Sequence, residues 1–268
     1  MNKCRLPDGL NMATYYRQGQ GTPLLCIPGL TRNHRDFLPL LELFPERPFY
    51  LVDLRGRGQS DWDDQPARYQ PPTYAADLAH WLDALPVEQF DWVGTSLGGI
   101  LTMALGATHG HRMRRVVIND IGPVIERAGI DAIRARVGRG GPFASYQEAK
   151  QAVYEAQSPD HPLEQDWDER TRALCVQQGD QWRFDYDPRI AQQAQGGDIE
   201  PFWNLFESLA PVGCLVLRGE RSDLFSTQTL DQMQQRHPNC LSAVVPDTGH
   251  APTLKESAAQ QALLSFLG

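Results

Sequence analysis

The chain reads as an α/β protein: a mostly parallel central sheet with helices on both faces, interrupted by an inserted helical lid. Three observations predict this. Short apolar runs alternate with longer amphipathic stretches over the first 120 residues, in the rhythm of strand–helix units. The later runs are continuously apolar, as expected of strands covered on both faces. From Gly122 to about Phe206 the texture turns polar and aromatic, and then the strand–helix rhythm resumes.

The candidate strands in order are Met12–Arg17, Leu24–Ile27, Phe49–Val52, Phe90–Val93 and Val116–Ile118, followed after the insert by Cys214–Leu217 and Leu241–Val245. Between the early strands, Tyr74–Leu85 places Leu78, Trp81, Leu82 and Leu85 at helical spacing. Helices are also predicted over Tyr146–Ala156, Thr227–Gln235 and Ser257–Leu267. The insert carries Pro and Gly clusters (GRGGP, QSPDHPL, YDPRI, QAQGGD). The expected organisation is therefore a core of residues 1–121 and 207–268 split around a lid of residues 122–206.

With 268 residues, 41% of them hydrophobic, the chain is long enough to bury a large core. Its 25 Lys and Arg against 33 Asp and Glu leave a net charge of −8, which disfavours a nucleic-acid partner because such binding rests on cationic side chains. No apolar run approaches the roughly 18 residues of a membrane span, and the N-terminal stretch lacks a signal-peptide core; a cytoplasmic location without membrane contact is expected. The five cysteines are widely spaced with no C-x-x-C pair, so neither a disulfide framework nor a zinc site is predicted.

The strand Phe90–Val93 runs into Gly94-Thr95-Ser96-Leu97-Gly98, a G-x-S-x-G pentapeptide followed by an apolar helix start. A sharp strand-to-helix turn holds its central residue in a strained conformation and closes only where the residues two before and two after lack a Cβ. Gly94 and Gly98 meet that need. The Ser96 hydroxyl would stand at the helix N-terminus, where backbone N–H groups favour a developing anion.

A serine hydroxyl needs a base to become a nucleophile. Of seven histidines, His250 follows the strand Leu241–Val245 in the turn Pro246-Asp247-Thr248-Gly249-His250-Ala251-Pro252, at the sheet edge where strand ends gather. For the acid that orients the imidazole, Asp223 in the loop after Cys214–Leu217 completes the chain order Ser…Asp…His and is the preferred candidate. Asp120, ending Val116–Ile118 at the same sheet edge, is its competitor, and Glu220 a weaker one. Asp53 is assigned to organising its own loop through backbone N–H groups and a nearby arginine. An oxyanion needs two N–H donors: Leu97, after the nucleophile, and Leu30, in the Pro28-Gly29-Leu30-Thr31 loop.

With these segments in order, the chain resembles the α/β-hydrolase superfamily, in its lidded esterase and haloperoxidase-like branch. The resemblance rests on Pro28-Gly29-Leu30, the Asp53–Ser60 loop, the Gly94–Gly98 elbow, Gly219 to Asp223 and Gly249-His250-Ala251-Pro252. It implies a cofactor-free, metal-free serine hydrolase acting on a small-molecule ester or lactone. The same triad also serves carbon–carbon bond hydrolases and cofactor-free perhydrolases, and the fold serves some non-catalytic ligand-binding relatives. Here Pro28 precedes Gly29 where many members carry His-Gly, which counts against carbon–carbon bond cleavage. Ser96 stands where haloalkane dehalogenases and epoxide hydrolases use Asp. Trp167, Trp182, Phe184, Tyr186 and Trp203 are expected to wall a lid pocket, and Arg32, His34 and Arg35 are candidates for contacting a substrate carboxylate.

Overall fold

A computed structural model describes residues 1–194 and 199–268. The last four residues of the QAQGGD cluster, 195–198, therefore lie outside the described residues. The strands are β1 (Asn2–Arg5), β2 (Asn11–Arg17), β3 (Leu24–Ile27), β4 (Phe49–Val52), β5 (Phe90–Thr95), β6 (Met113–Asn119), β7 (Cys175–Gln178), β8 (Gln181–Phe184), β9 (Gly213–Gly219) and β10 (Cys240–Val245). The α-helices are α1 (Leu38–Leu43), α2 (Pro71–Asp83), α3 (Leu97–His109), α4 (Arg127–Arg136), α5 (Tyr146–Gln157), α6 (Trp167–Leu174), α7 (Ala191–Ala194), α8 (Trp203–Glu207), α9 (Thr227–Arg236) and α10 (Ser257–Leu267).

Eight strands form one sheet in the order β1-β2-β4-β3-β5-β6-β9-β10, antiparallel at the β1, β2 edge and parallel from β4 onward. The central strands are apolar throughout because both faces are covered: every residue of β3 and β5 is buried. On one face α2, α3, α8 and α9 pack through Leu78, Trp81, Leu101, Leu105, Phe206 and Met233. On the other, α1 and α10 supply Leu40, Ala259, Leu263 and Leu267. Helix α2 begins ahead of the predicted Tyr74 because Pro71 sits at its first turn, where a missing N–H costs nothing. Strand β1 was not predicted: it is an exposed edge strand whose residues show no apolar alternation.

The segment between β6 and β9 holds α4 to α8 and, in place of purely helical structure, the antiparallel hairpin β7–β8. Gly179-Asp180 turns that hairpin, with Gly179 at φ +60° as such turns require. The Ser145 side chain caps α5 by accepting from Glu148 N–H at 3.2 Å, and Asp166 caps α6 by accepting from Glu169 N–H at 2.8 Å. Ala149, Val153, Leu174 and Cys175 make a small core of their own, with Trp167 and Trp182 packed against it. Helix α8 belongs to the main core instead, where Phe206 is buried beside α3.

This layer is tied down by buried carboxylates. Asp185 accepts from Arg35 at 2.5 Å, and Asp187 accepts from the Tyr69 hydroxyl at 2.7 Å. Backbone bonds Gly58 N–H to Asp185 O (3.0 Å) and Asp187 N–H to Gly56 O (2.7 Å) add a short stitched seam.

Candidate active site

The parallel register brings the chemistry together. Thr95, the last residue of β5, pairs with Asn119, the last of β6, and Asn119 pairs with Leu217 of β9. The residues that follow, Ser96 and Asp120, therefore leave the sheet side by side at its carboxyl edge, with Ser96 N–H bonded to Asn119 O (2.9 Å) and Asp120 N–H to Leu217 O (2.8 Å).

Ser96 has φ 52° and ψ −114°, the strained turn that the glycine pattern predicts. A Cβ on Gly94 would land on the Gly98 carbonyl oxygen, and one on Gly98 on the Ile27 carbonyl oxygen. The backbone of β3 thus touches the first turn of α3. Only glycine lets that helix start close enough to the strand ends to lift the Ser96 hydroxyl clear of the sheet.

His250 follows β10 and closes the group. Its Nε2 lies 2.8 Å from Ser96 Oγ, and its Nδ1 lies 2.8 Å from Asp120 Oδ2. Asp120 is fully buried, and its other oxygen accepts the Gly219 N–H at 2.8 Å. The His250 loop is held by Asn119, whose amide donates to Pro252 O at 2.9 Å, and by Gly249 N–H donating to Asp160 O in the overlying layer at 2.7 Å.

The partner of His250 is therefore Asp120 and not the expected Asp223. Asp120 stands one strand from Ser96 and directly beyond β6, while Asp223 sits four residues past the end of β9, where the loop has turned outward. Asp223 is exposed, its carbonyl accepts from Gly129 N–H in α4 (3.1 Å), and it lies on the rim of the cavity above the serine. Glu220 is also away from the imidazole and accepts from Asp247 N–H at 2.9 Å.

Leu97 follows Ser96 directly, and Leu30 lines the same cavity as Ser96. Leu97 opens α3, where N–H groups have no partner within the helix, and Leu30 N–H donates to no acceptor among the described residues. The Leu30 loop is fixed from behind by the buried Arg57, whose Nε donates to the Leu30 carbonyl at 2.7 Å while the guanidinium lies over the Tyr74 ring at 4.5 Å. That pinning residue was not singled out from the sequence. Asp53 does organise its loop through backbone N–H groups, those of His34 (2.8 Å) and Gln59 (3.0 Å), but its side-chain partners are His34 Nδ1 (2.9 Å) and the Tyr15 hydroxyl (2.8 Å) in place of an arginine. Burial pushes the Asp53 carboxyl pKa up, and the His34 and backbone hydrogen bonds more than offset this, holding it below the ordinary carboxylate value.

A cavity of about 830 Å³ lies over Ser96 and His250, between the sheet edge and helices α4, α5 and α6. Of the expected aromatic walls, Phe184 and Tyr186 line it. Trp167 and Trp182 pack the small core of the overlying layer, and Trp203 meets Phe206 edge-on and lies under the Arg236 guanidinium. Each of the three basic residues of the loop that follows the Leu30 turn is paired with a carboxylate, Arg32 with Asp36 (2.6 Å), His34 with Asp53 and Arg35 with Asp185, and the two arginines also line the cavity. Among the described residues no cluster of His, Cys, Asp and Glu is arranged to hold a metal ion, and no helix is long and apolar enough to cross a membrane.

Comparison with known proteins agrees with this architecture. The model of the "Alpha/beta hydrolase family" matches residues 24–262. A 3-hydroxybutyrate-oligomer hydrolase of Cupriavidus necator is 33% identical over 96% of this chain and 92% of its own length. A 2-(acetamidomethylene)succinate hydrolase of Mesorhizobium japonicum is 30% identical over 87% of this chain and 83% of its own. Among solved structures, an alpha/beta hydrolase from Novosphingobium aromaticivorans superposes with a TM-score of 0.93 at 36% identity, covering 99% of this chain and 96% of that one. Fold, elbow geometry and these matches agree, and the chain belongs to the alpha/beta hydrolase family.

Proposed function

We propose that the protein hydrolyses a small carboxylic ester or lactone through an acyl-enzyme on Ser96, with His250 as base and Asp120 as the acid that orients it. The observation that carries this reading is the unbroken relay from Asp120 through His250 to Ser96, both links at 2.8 Å, beneath a cavity of substrate size. Asp120, holding Nδ1–H, leaves Nε2 to take the Ser96 proton as Oγ attacks the carbonyl carbon. The oxyanion that forms is met by Leu30 and Leu97 N–H groups. As the tetrahedral species collapses, His250 returns the proton to the departing alcohol oxygen. Water then attacks the acyl-serine by the same route, giving the acid and restoring Ser96.

The ester reading is favoured over other bonds open to this relay by the name of the Cupriavidus relative, since an oligomer of a hydroxy acid is joined through esters. The test is hydrolysis of short-chain p-nitrophenyl esters and of a small lactone by wild type and Ser96→Ala. Loss of a triad nucleophile lowers kcat by about 10⁶-fold. Turnover that survives in Ser96→Ala would refute the mechanism, and a wild type inert to all these substrates would refute the ester assignment.

A further inference from the structure

Five arginines line the cavity above Ser96; Arg139 is exposed to solvent, and three others have partners. Arg32 is bidentate on Asp36, Arg35 is bonded to Asp185, and Arg136 donates to Ala156 O at 3.0 Å and Asp160 at 3.2 Å. Arg170 of α6 differs. It lines the same cavity and is only 9% exposed, yet no carboxylate lies within salt-bridge distance of it among the described residues. Its one side-chain hydrogen bond among the described residues is neutral, from Nη2 to Gln157 Oε1 at 2.6 Å, and its buried Nε–H has no acceptor.

A buried guanidinium without an ion pair, set in the wall of a cavity, is placed to meet an anionic ligand there. Glu164 and Glu256 are near enough to be felt, each accepting at one oxygen, Glu164 from the N–H groups of Gln165 and Asp166 and Glu256 from Thr253; the second Glu256 oxygen is buried without a partner, yet neither carboxylate lies within salt-bridge distance of Arg170. Asp36 is already committed to Arg32. His161, buried beside Arg170 and Arg32, has an unpartnered Nε2; burial and those cations keep its imidazole neutral, so it adds no counter-charge.

We propose that Arg170 is the carboxylate-binding residue of the cavity, and that the substrate is an ester or lactone that also carries a free carboxylate. Only the identity of the cleaved bond rests on the esterase reading; the binding site stands on Arg170 itself. The guanidinium would donate from Nη1, which has no partner among the described residues and, unlike Nε, is not sealed off, to a carboxylate oxygen in a charge-assisted bond, and so set which carbonyl lies over Ser96.

Two pairs of isosteric probes separate charge from shape and ask which side of the ester bears the acid. One is 3-acetoxybutyrate with 3-acetoxybutyramide, and the other is monoethyl succinate with ethyl succinamate. Wild type should favour the acid over its amide in kcat/KM by about 10- to 100-fold in at least one pair, the range a charge-assisted hydrogen bond supports. Arg170→Gln should bring that ratio to about one, with Arg170→Lys between. A wild-type ratio of one or below in both pairs overturns the proposal without any variant, as does a preference retained in Arg170→Gln. Calorimetric binding of 3-acetoxybutyrate and its amide to Ser96→Ala protein reads the subsite without turnover. Acid-selective binding with no hydrolysis by wild type would sink the esterase reading and leave Arg170 in place. Equal hydrolysis of acids and amides would do the reverse.

Discussion

Asp120→Asn is the substitution on which the proposed relay depends most sharply. The carboxylate now accepts from two sides, His250 Nδ1 and Gly219 N–H, each at 2.8 Å. Asparagine keeps an oxygen for Gly219 N–H, so the fold keeps its anchor, but its amide donates toward His250 Nδ1. That forces the other tautomer, with the proton on Nε2 pointing at Ser96 Oγ and no lone pair left to accept the serine proton. Loss of the correct tautomer in a triad costs about 10⁴ in kcat, or about 5.4 kcal/mol of transition-state stabilisation. Asp223→Asn, on an exposed side chain at the cavity rim, should change kcat by no more than a few fold. The assay is steady-state hydrolysis of p-nitrophenyl acetate by both variants, with thermal unfolding beside it to show that Asp120→Asn remains folded. A greater loss in Asp223→Asn, or Asp120→Asn activity within about tenfold of wild type, would refute the assignment.

Three further outcomes are expected. Gly98→Ala places a methyl group on the Ile27 carbonyl oxygen and should lower stability by about 1–3 kcal/mol, read in chemical denaturation, and abolish hydrolysis; a stable, active variant would contradict the elbow geometry. Arg57→Met removes the donor that pins the Leu30 carbonyl, so kcat should fall by up to about 10²-fold with little change in KM; an effect confined to KM would mean that the loop needs no such pin. His161 is neutral when folded, its pKa pushed down to about 2 by burial and then by Arg170 and Arg32, whereas in the unfolded chain it titrates near 6.5. Below pH 6.5 the unfolded state takes up a proton that the fold refuses, so stability is lost as pH falls, by about 2 kcal/mol between pH 6.5 and 5. His161→Gln should flatten that acid slope by about one proton; an unchanged slope would refute the burial argument.

The parallel strands, the elbow and His250 were legible because each is written locally. Continuous apolar runs, two glycines bracketing a serine, and a histidine just beyond a strand carry their geometry with them. Asp120 and Asp223 were not separable in that way. Both follow strands at the same sheet edge, and only the pairing of Asn119 with Thr95 and Leu217 places one carboxylate beside Ser96, while the other rides a loop turning outward. Arg170 was invisible for a related reason. In Trp167–Leu174 it stands among Asp168, Glu169 and Arg172 and reads as one more charge on a solvated helix, and only the packing of α6 over the cavity buries it. The same holds for Arg32 and Arg35, whose partners Asp36 and Asp185 are settled by tertiary contact or a helical turn. Hairpin β7–β8 escaped notice because its strands are short and half exposed.

The most direct measurement of the central claim is rapid-quench intact-mass and peptide analysis of wild type during turnover of p-nitrophenyl acetate. An acyl-enzyme mechanism predicts an acetylated species that forms ahead of steady state and maps to Ser96, absent from Ser96→Ala. Acylation at another residue, or steady product formation with no acylated Ser96 when deacylation is slowed at low pH, would contradict it.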